Sequence, residues 1–147
     1  MKKNNQPKFE TTTLWDFPTQ NYGDTPHGNN KYHGVTPAFV IWNLIQRYTK
    51  ENDLVIDPMC GSGTTIDVCK EENLKVLGFD IVPYRNDIIQ ADARNLPIDD
   101  EIADLVFIDS PYSDNITYNK HPDNIGNISF RKRGVFYRIR KKCKRSL

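Results

Sequence analysis

Apolar residues fall in short blocks separated by polar stretches rich in Gly, Pro and Asn. The block AFVIWNLIQRY, which begins at Ala38, carries apolar side chains on more than one face and predicts a well-buried helix. Thr36 and Pro37 stand just before it and predict its start, with Thr as N-cap and Pro in the first helical position. DLVID (53–57) predicts a short buried strand, and a glycine-rich turn then leads to a helix around 64–72. KVLGFD (75–80) predicts a second strand, DIIQ (87–90) a weak third, and 103–109 a fourth whose LVFI run predicts burial. Strands alternating with helical stretches imply βαβ units and a parallel α/β sheet. Residues 1–34 read mostly as loop, 35–128 as the core and 129–147 as a separate segment.

Composition narrows the class. A chain of 147 residues is one domain at most, and 37% hydrophobic residues with 11% aromatics fit a globular protein despite a polar mean hydropathy of −0.66. No apolar run approaches the roughly 20 residues of a membrane helix, and MKKNNQPKFE has charge but no apolar stretch after it, so no signal peptide is expected. The cysteines are Cys60, Cys69 and Cys143, with no CxxC pair, and the three histidines show no ligand spacing. A disulfide framework and a metal site are therefore not expected, and a reducing cytoplasm is.

Candidate chemistry gathers at the strand ends. Asp57, Asp80 and Asp109 each close a predicted strand, and Asp92 lies just past the weak one. Ligands of open α/β sheets bind outside the carboxyl ends of the strands. Several carboxylates at one edge repel each other unless a ligand uses them. The turn between the first strand and the next helix is DPMCGSGTT, with Gly61 and Gly63 allowing a tight bend and close approach of a ligand. A phosphate-binding loop needs Lys after its last Gly, where Thr64 stands, and a dinucleotide fingerprint needs a third Gly where Ile66 stands. The turn therefore favours a nucleoside ligand with little phosphate charge. Asp80 is placed to accept from both ribose hydroxyls and Asp92 from an adenine amino group.

DPMCGSGTT, followed by GFD, DAR and DSPY, resembles the DNA amino-methyltransferases that use S-adenosylmethionine (SAM), the N6-adenine and N4-cytosine enzymes. The resemblance covers about residues 11–128. It implies a class I, Rossmann-like SAM-methyltransferase sheet, mostly parallel and seven-stranded in the whole family fold, of which this chain holds the front half. It implies that Asp57, Pro58, Cys60, Gly61, Gly63 and Thr64 form the SAM turn, with Asp80 the ribose acid and Asp92 the adenine-side acid. YHGVTPAFVIWNLI resembles the segment over the methionine end of SAM, with His33, Thr36 and Pro37 as contacts. DSPY resembles the catalytic motif. Asp109 and the backbone carbonyl beside Pro111 would accept the hydrogens of an exocyclic amino group, freeing the nitrogen lone pair, and Tyr112 would stack on the flipped base. Ser110 departs from the family's usual proline. Asp109 leans toward adenine as the target base, and Ser110-Pro111 leaves cytosine open.

Charge sets the last segment apart. Residues 1–128 hold 11 Lys and Arg against 19 Asp and Glu, whereas 129–147 hold 9 Lys and Arg and no acid. One reading is a basic arm for phosphates, with Phe130, Phe136 and Tyr137 interleaved. The other is translation out of frame, since an AT-rich back-translation shifted by one base encodes an amphipathic helix. The second is favoured, and the expectation is an irregular basic tail on a truncated enzyme. The expected partner is double-stranded DNA, with no membrane and with a second polypeptide as a source of the missing half. A restriction-modification setting suits the family. The rival expectations are a non-catalytic SAM- or DNA-binding remnant and an RNA amino-methyltransferase.

Overall fold

The computed structural model describes residues 5–111, 119–127 and 142–144. Its elements run α1 (Ala38–Tyr48), β1 (Leu54–Asp57), α2 (Thr64–Glu71), β2 (Lys75–Asp80), β3 (Ile89–Gln90) and β4 (Leu105–Val106), with a 3₁₀ turn at Ile125–Asn127. The four strands form one sheet in the order β3-β2-β1-β4, and every pairing is parallel. This is a partial Rossmann-like α/β fold.

The β1–α2–β2 unit forms because each of its parts agrees with the next. Val55 and Ile56 are fully buried and pair with Val76 and Leu77 of β2. On one face, α1 and α2 cover the sheet through Phe39, Ile41, Ile45, Val68 and Cys69, packed around Val55. On the other, Ile56 and Phe79 pack with Leu96 and Ala103, which the chain after β3 folds back over the sheet. Each of the Val, Leu, Ile and Phe side chains among them contributes roughly 1.5–3 kcal/mol on burial.

Two boundaries differ from expectation. α1 begins at Ala38 with Pro37 as its N-cap, and no side chain caps it. Pro37 therefore sits one place earlier than expected and Thr36 is not the cap, because its hydroxyl is engaged elsewhere. The fourth strand is confined to Leu105–Val106, and Leu105, Val106, Phe107 and Ile108 are half-buried rather than buried. Among the described residues, support is fuller on the β1 side than on the other. β1 accepts Phe107 N–H at Ile56 O, 2.9 Å. On the other edge the described contact is a single parallel bridge between Ala103 and Cys143.

That bridge shows what the described part of the basic segment does. Ala103 N–H donates to Lys142 O at 3.0 Å and Lys144 N–H to Ala103 O at 2.8 Å. Lys142 Nζ lies 2.8 Å from Asp100 Oδ1, and Lys144 Nζ pairs with Asp104. Residues 142–144 thus touch the sheet edge through one isolated bridge. The N-terminal loop is likewise part of the core. Tyr22 and His27 are buried, His27 Nε2 meets Glu71 Oε2 at 2.7 Å, and Asn43 Oδ1 accepts Glu10 N–H at 2.7 Å. Among the described residues no helix is long and apolar enough to cross a membrane.

Candidate active site

The turn after β1 is folded around Asp57. Its carboxylate is 3% exposed and accepts Met59 N–H at 3.0 Å and the Thr65 hydroxyl at 2.6 Å. Burial pushes the Asp57 carboxyl up to about 7, against the pull of those two bonds, and the charges of Asp80 and Asp109 push the same way as burial. Asp80 closes β2 and ties it to the turn by accepting Gly61 N–H at 2.9 Å and Val82 N–H at 3.0 Å. Burial raises its pKa also, opposed by the Val82 and Gly61 N–H groups.

The two glycines serve different neighbours. Gly61 has φ 52°, and a Cβ there would lie 3.0 Å from the Tyr32 ring. Gly63, at φ 89°, is the N-cap of α2, and a Cβ there would lie 2.7 Å from Arg85 Cζ. Arg85 is pinned by Asp67 at 2.7 Å and Asp87 at 2.8 Å. Gly63 is therefore needed for packing against Arg85.

Asp92 lies two residues past β3. Arg94 grips its carboxylate, with Nη2 at 2.6 Å from Oδ2 and its own backbone N–H at 2.8 Å from Oδ1. Asp109 lies three residues past β4, is exposed, and accepts the hydroxyl of Thr36 at Oδ2.

A cavity of about 400 Å³ opens across these strand ends. It gathers Asp57, Pro58, Cys60, Gly61, Thr64, Asp80, Asp92, Asp109, Pro111, Thr36 and Pro37 of the expected residues. Gly63 and Ser110 are outside its lining, and His33 is exposed away from it. Tyr112 lies outside the described residues. The polar stretch after DSPY supplies part of the wall through Asn119, Asp123, Asn124 and Ile125. Sequence reasoning missed Tyr32 and Ile81, although each adjoins a residue it named, His33 and Asp80.

Acidic side chains stand out in the cavity wall. Five aspartates, Asp57, Asp80, Asp92, Asp109 and Asp123, line the cavity, and no Lys or Arg is among its described lining residues. Where they are ionised, such walls repel a phosphate and attract a cation, although burial favours the neutral form of Asp57 and Arg94 already pairs with Asp92.

Residues 1–91 match the sequence profile of the family described as DNA methylase, of the N6/N4 type. The chain is 34% identical over 58 residues to the type II methyltransferase M.MjaII of Methanocaldococcus jannaschii, covering 40% of the chain and 11% of that relative. It is 43% identical over 50 residues to the type II methyltransferase M2.LlaDCHI of Lactococcus lactis subsp. cremoris, covering 34% of the chain and 19% of the relative. With the type II methyltransferase M.HpaI of Haemophilus parainfluenzae it shares 32% over 81 residues, 53% of the chain and 24% of the relative. Each match thus spans less than a quarter of the relative's length.

Proposed function

The chain belongs to the DNA methylase family of the N6/N4 type, and on that premise we propose that it binds SAM in the acidic cavity and transfers a methyl group to an exocyclic amino nitrogen of duplex DNA, adenine N6 or cytosine N4. The observation that carries this reading is the cavity itself, in which the glycine turn and Asp109 share one acidic wall free of described cations.

When bound, SAM supplies a methyl group activated by a positively charged sulfur. The chain's own residues do the rest. Asp80 accepts the ribose hydroxyls, and Asp57 and its neighbours offer negative charge to the cationic end. Ile81 and Ile125 give the adenine an apolar surface. Asp109 Oδ1 and the Ser110 carbonyl accept the two N–H groups of the target amine. Pro111 stiffens the carbonyl's direction through its fixed φ. With both hydrogens held by these acceptors, the nitrogen turns toward a tetrahedral shape and its lone pair leaves the ring system. The proton released when the nitrogen gains its methyl passes to the Asp109 carboxylate. Positioning and preorganised acceptors carry the rate.

The test measures labelled methyl transfer from SAM to duplex DNA and to tRNA, with SAM binding followed by calorimetry. Transfer to DNA that Asp109→Ala lowers by about a hundredfold or more supports the reading. Transfer to tRNA alone assigns an RNA substrate instead. SAM binding with no transfer to either reduces the chain to a cofactor-binding remnant.

A further inference from the structure

A threonine ahead of a helix ordinarily turns its hydroxyl to the helix's first N–H groups. Thr36 does not: α1 has no side-chain cap, and the Thr36 hydroxyl donates to Asp109 Oδ2, 73 residues further on. Thr36 is itself held from behind. Gln20 Nε2 donates to Thr36 O at 2.8 Å and lies 3.4 Å from Thr64 Oγ1, the first residue of α2. Gln20 O in turn accepts Ala38 N–H at 2.8 Å. One side chain thus ties the segment before α1 to the end of the glycine turn, and Thr36 extends that tie to the carboxylate.

Asp109 needs such support. It follows a strand of two residues and is exposed. An exposed carboxylate on a lightly paired segment samples several rotamers, and only one can meet an amino group in line with the methyl donor. We propose that Thr36 is a positioning residue for Asp109, held by Gln20: its hydroxyl fixes Oδ2 and so leaves Oδ1 to accept the N–H of the target amine. A hydroxyl has one proton to give. Contact with the methionine end of the cofactor then falls to Pro37 and to the Thr36 backbone. This inference rests on the proposed methyl transfer for its chemistry, though not for its geometry.

The experiment compares the unsubstituted chain with Thr36→Val, which removes the hydroxyl, and Thr36→Ser, which keeps it. Three quantities are read: the single-turnover transfer rate at saturating SAM, the SAM dissociation constant, and the Asp109 rotamer in crystal structures. The expected result is a transfer rate about tenfold or more lower in Thr36→Val, a dissociation constant within about threefold, and recovery in Thr36→Ser. An unchanged rate in Thr36→Val overturns the proposal, as does a loss that lies wholly in SAM affinity. If the unsubstituted chain transfers no methyl, the proposed function fails and the rotamer decides this inference alone. One Asp109 rotamer bonded to Thr36, lost in Thr36→Val and kept in Thr36→Ser, upholds it. The same single rotamer in all three overturns it.

Discussion

Asp57 and Asp109 both follow parallel strands and line the same cavity, yet they are held in opposite ways. Asp57 ends a strand paired on both sides, is buried, and has its two oxygens satisfied by the turn it organises. Asp109 stands beyond a two-residue strand, is exposed, and takes its hydrogen bond from a residue in a distant loop. The difference is one of construction. The half of the cavity proposed for the cofactor is built from consecutive elements, β1, the turn, α2 and β2. The half proposed for transfer is assembled from segments far apart in sequence. On the proposed function, preformed acceptors suit a tightly bound cofactor, whereas an exposed carboxylate suits an incoming base.

Substitution at the two ends should separate binding from transfer. Asp109→Ala should give the largest effect, a loss of about a hundredfold or more in transfer rate with SAM affinity within about threefold. Asp80→Ala should do the reverse. It removes the acceptor proposed for the ribose and strands the N–H groups of Gly61 and Val82. Hydrogen bonds to a charged group contribute roughly 1.5–3 kcal/mol, so SAM affinity should fall about tenfold to a hundredfold. Comparable losses of affinity in both variants, read by calorimetry, would break the division.

Asp57 offers a pH-dependent test of the buried half. Its carboxyl is raised from the ordinary 3.8 to about 7, so between those values the folded chain holds a proton that the unfolded chain has released. Stability from this group is therefore full below pH 4 and is lost as pH rises through 7. Three pH units at 1.36 kcal/mol each set an upper bound of roughly 4 kcal/mol. Asp57→Asn keeps an acceptor for Met59 N–H and a partner for Thr65 while removing the charge. It should match the unsubstituted chain near pH 4 and melt higher at pH 8. SAM, being cationic, should release a proton on binding near pH 6, and S-adenosylhomocysteine, which lacks the sulfonium charge, should release less. Melting curves that stay parallel across pH would place the Asp57 proton elsewhere.

The same contrast governs what the sequence discloses. β2 runs over Lys75–Asp80 as its apolar pattern predicts, and β1 and α2 fall within one residue of expectation, because pattern, turn and helix start all lie within a few residues of one another. The fourth strand is shorter than its LVFI run implies, since strand length depends on what pairs at the far edge, and among the described residues the pairing there is one bridge, Ala103 with Cys143. The Thr36 hydroxyl illustrates the limit most sharply. Local rules assign it to the helix it precedes, and only the fold brings Asp109 within reach. Gly63 looked like a ligand-approach glycine by its neighbours in DPMCGSGTT, but the Arg85 packed against it comes from beyond β2.

Asp92 is intermediate between the two carboxylates, and it carries the smallest effects. Its two oxygens already receive four contacts from Arg94: the backbone N–H and Nε at 2.8 and 3.0 Å on Oδ1, Nε and Nη2 at 2.9 and 2.6 Å on Oδ2. A carboxylate has about four lone-pair sites, so an adenine amino group must compete with that guanidinium. Both side chains are 31% exposed, and an ion pair this wet contributes about 0–1 kcal/mol. Arg94→Gln should therefore cost less than about 1 kcal/mol in thermal stability. Relieved of its competitor, Asp92 should bind adenosine-containing ligands about twofold to threefold more tightly, while Asp92→Asn should weaken them by about tenfold. Arg94 also reaches Asp123 at 3.5 Å, on the segment that forms the far wall of the cavity. If neither substitution moves the affinity, Asp92 serves to anchor Arg94 and that wall, and the adenine must be read by the wall's own groups, with the Asn124 amide the nearest in kind.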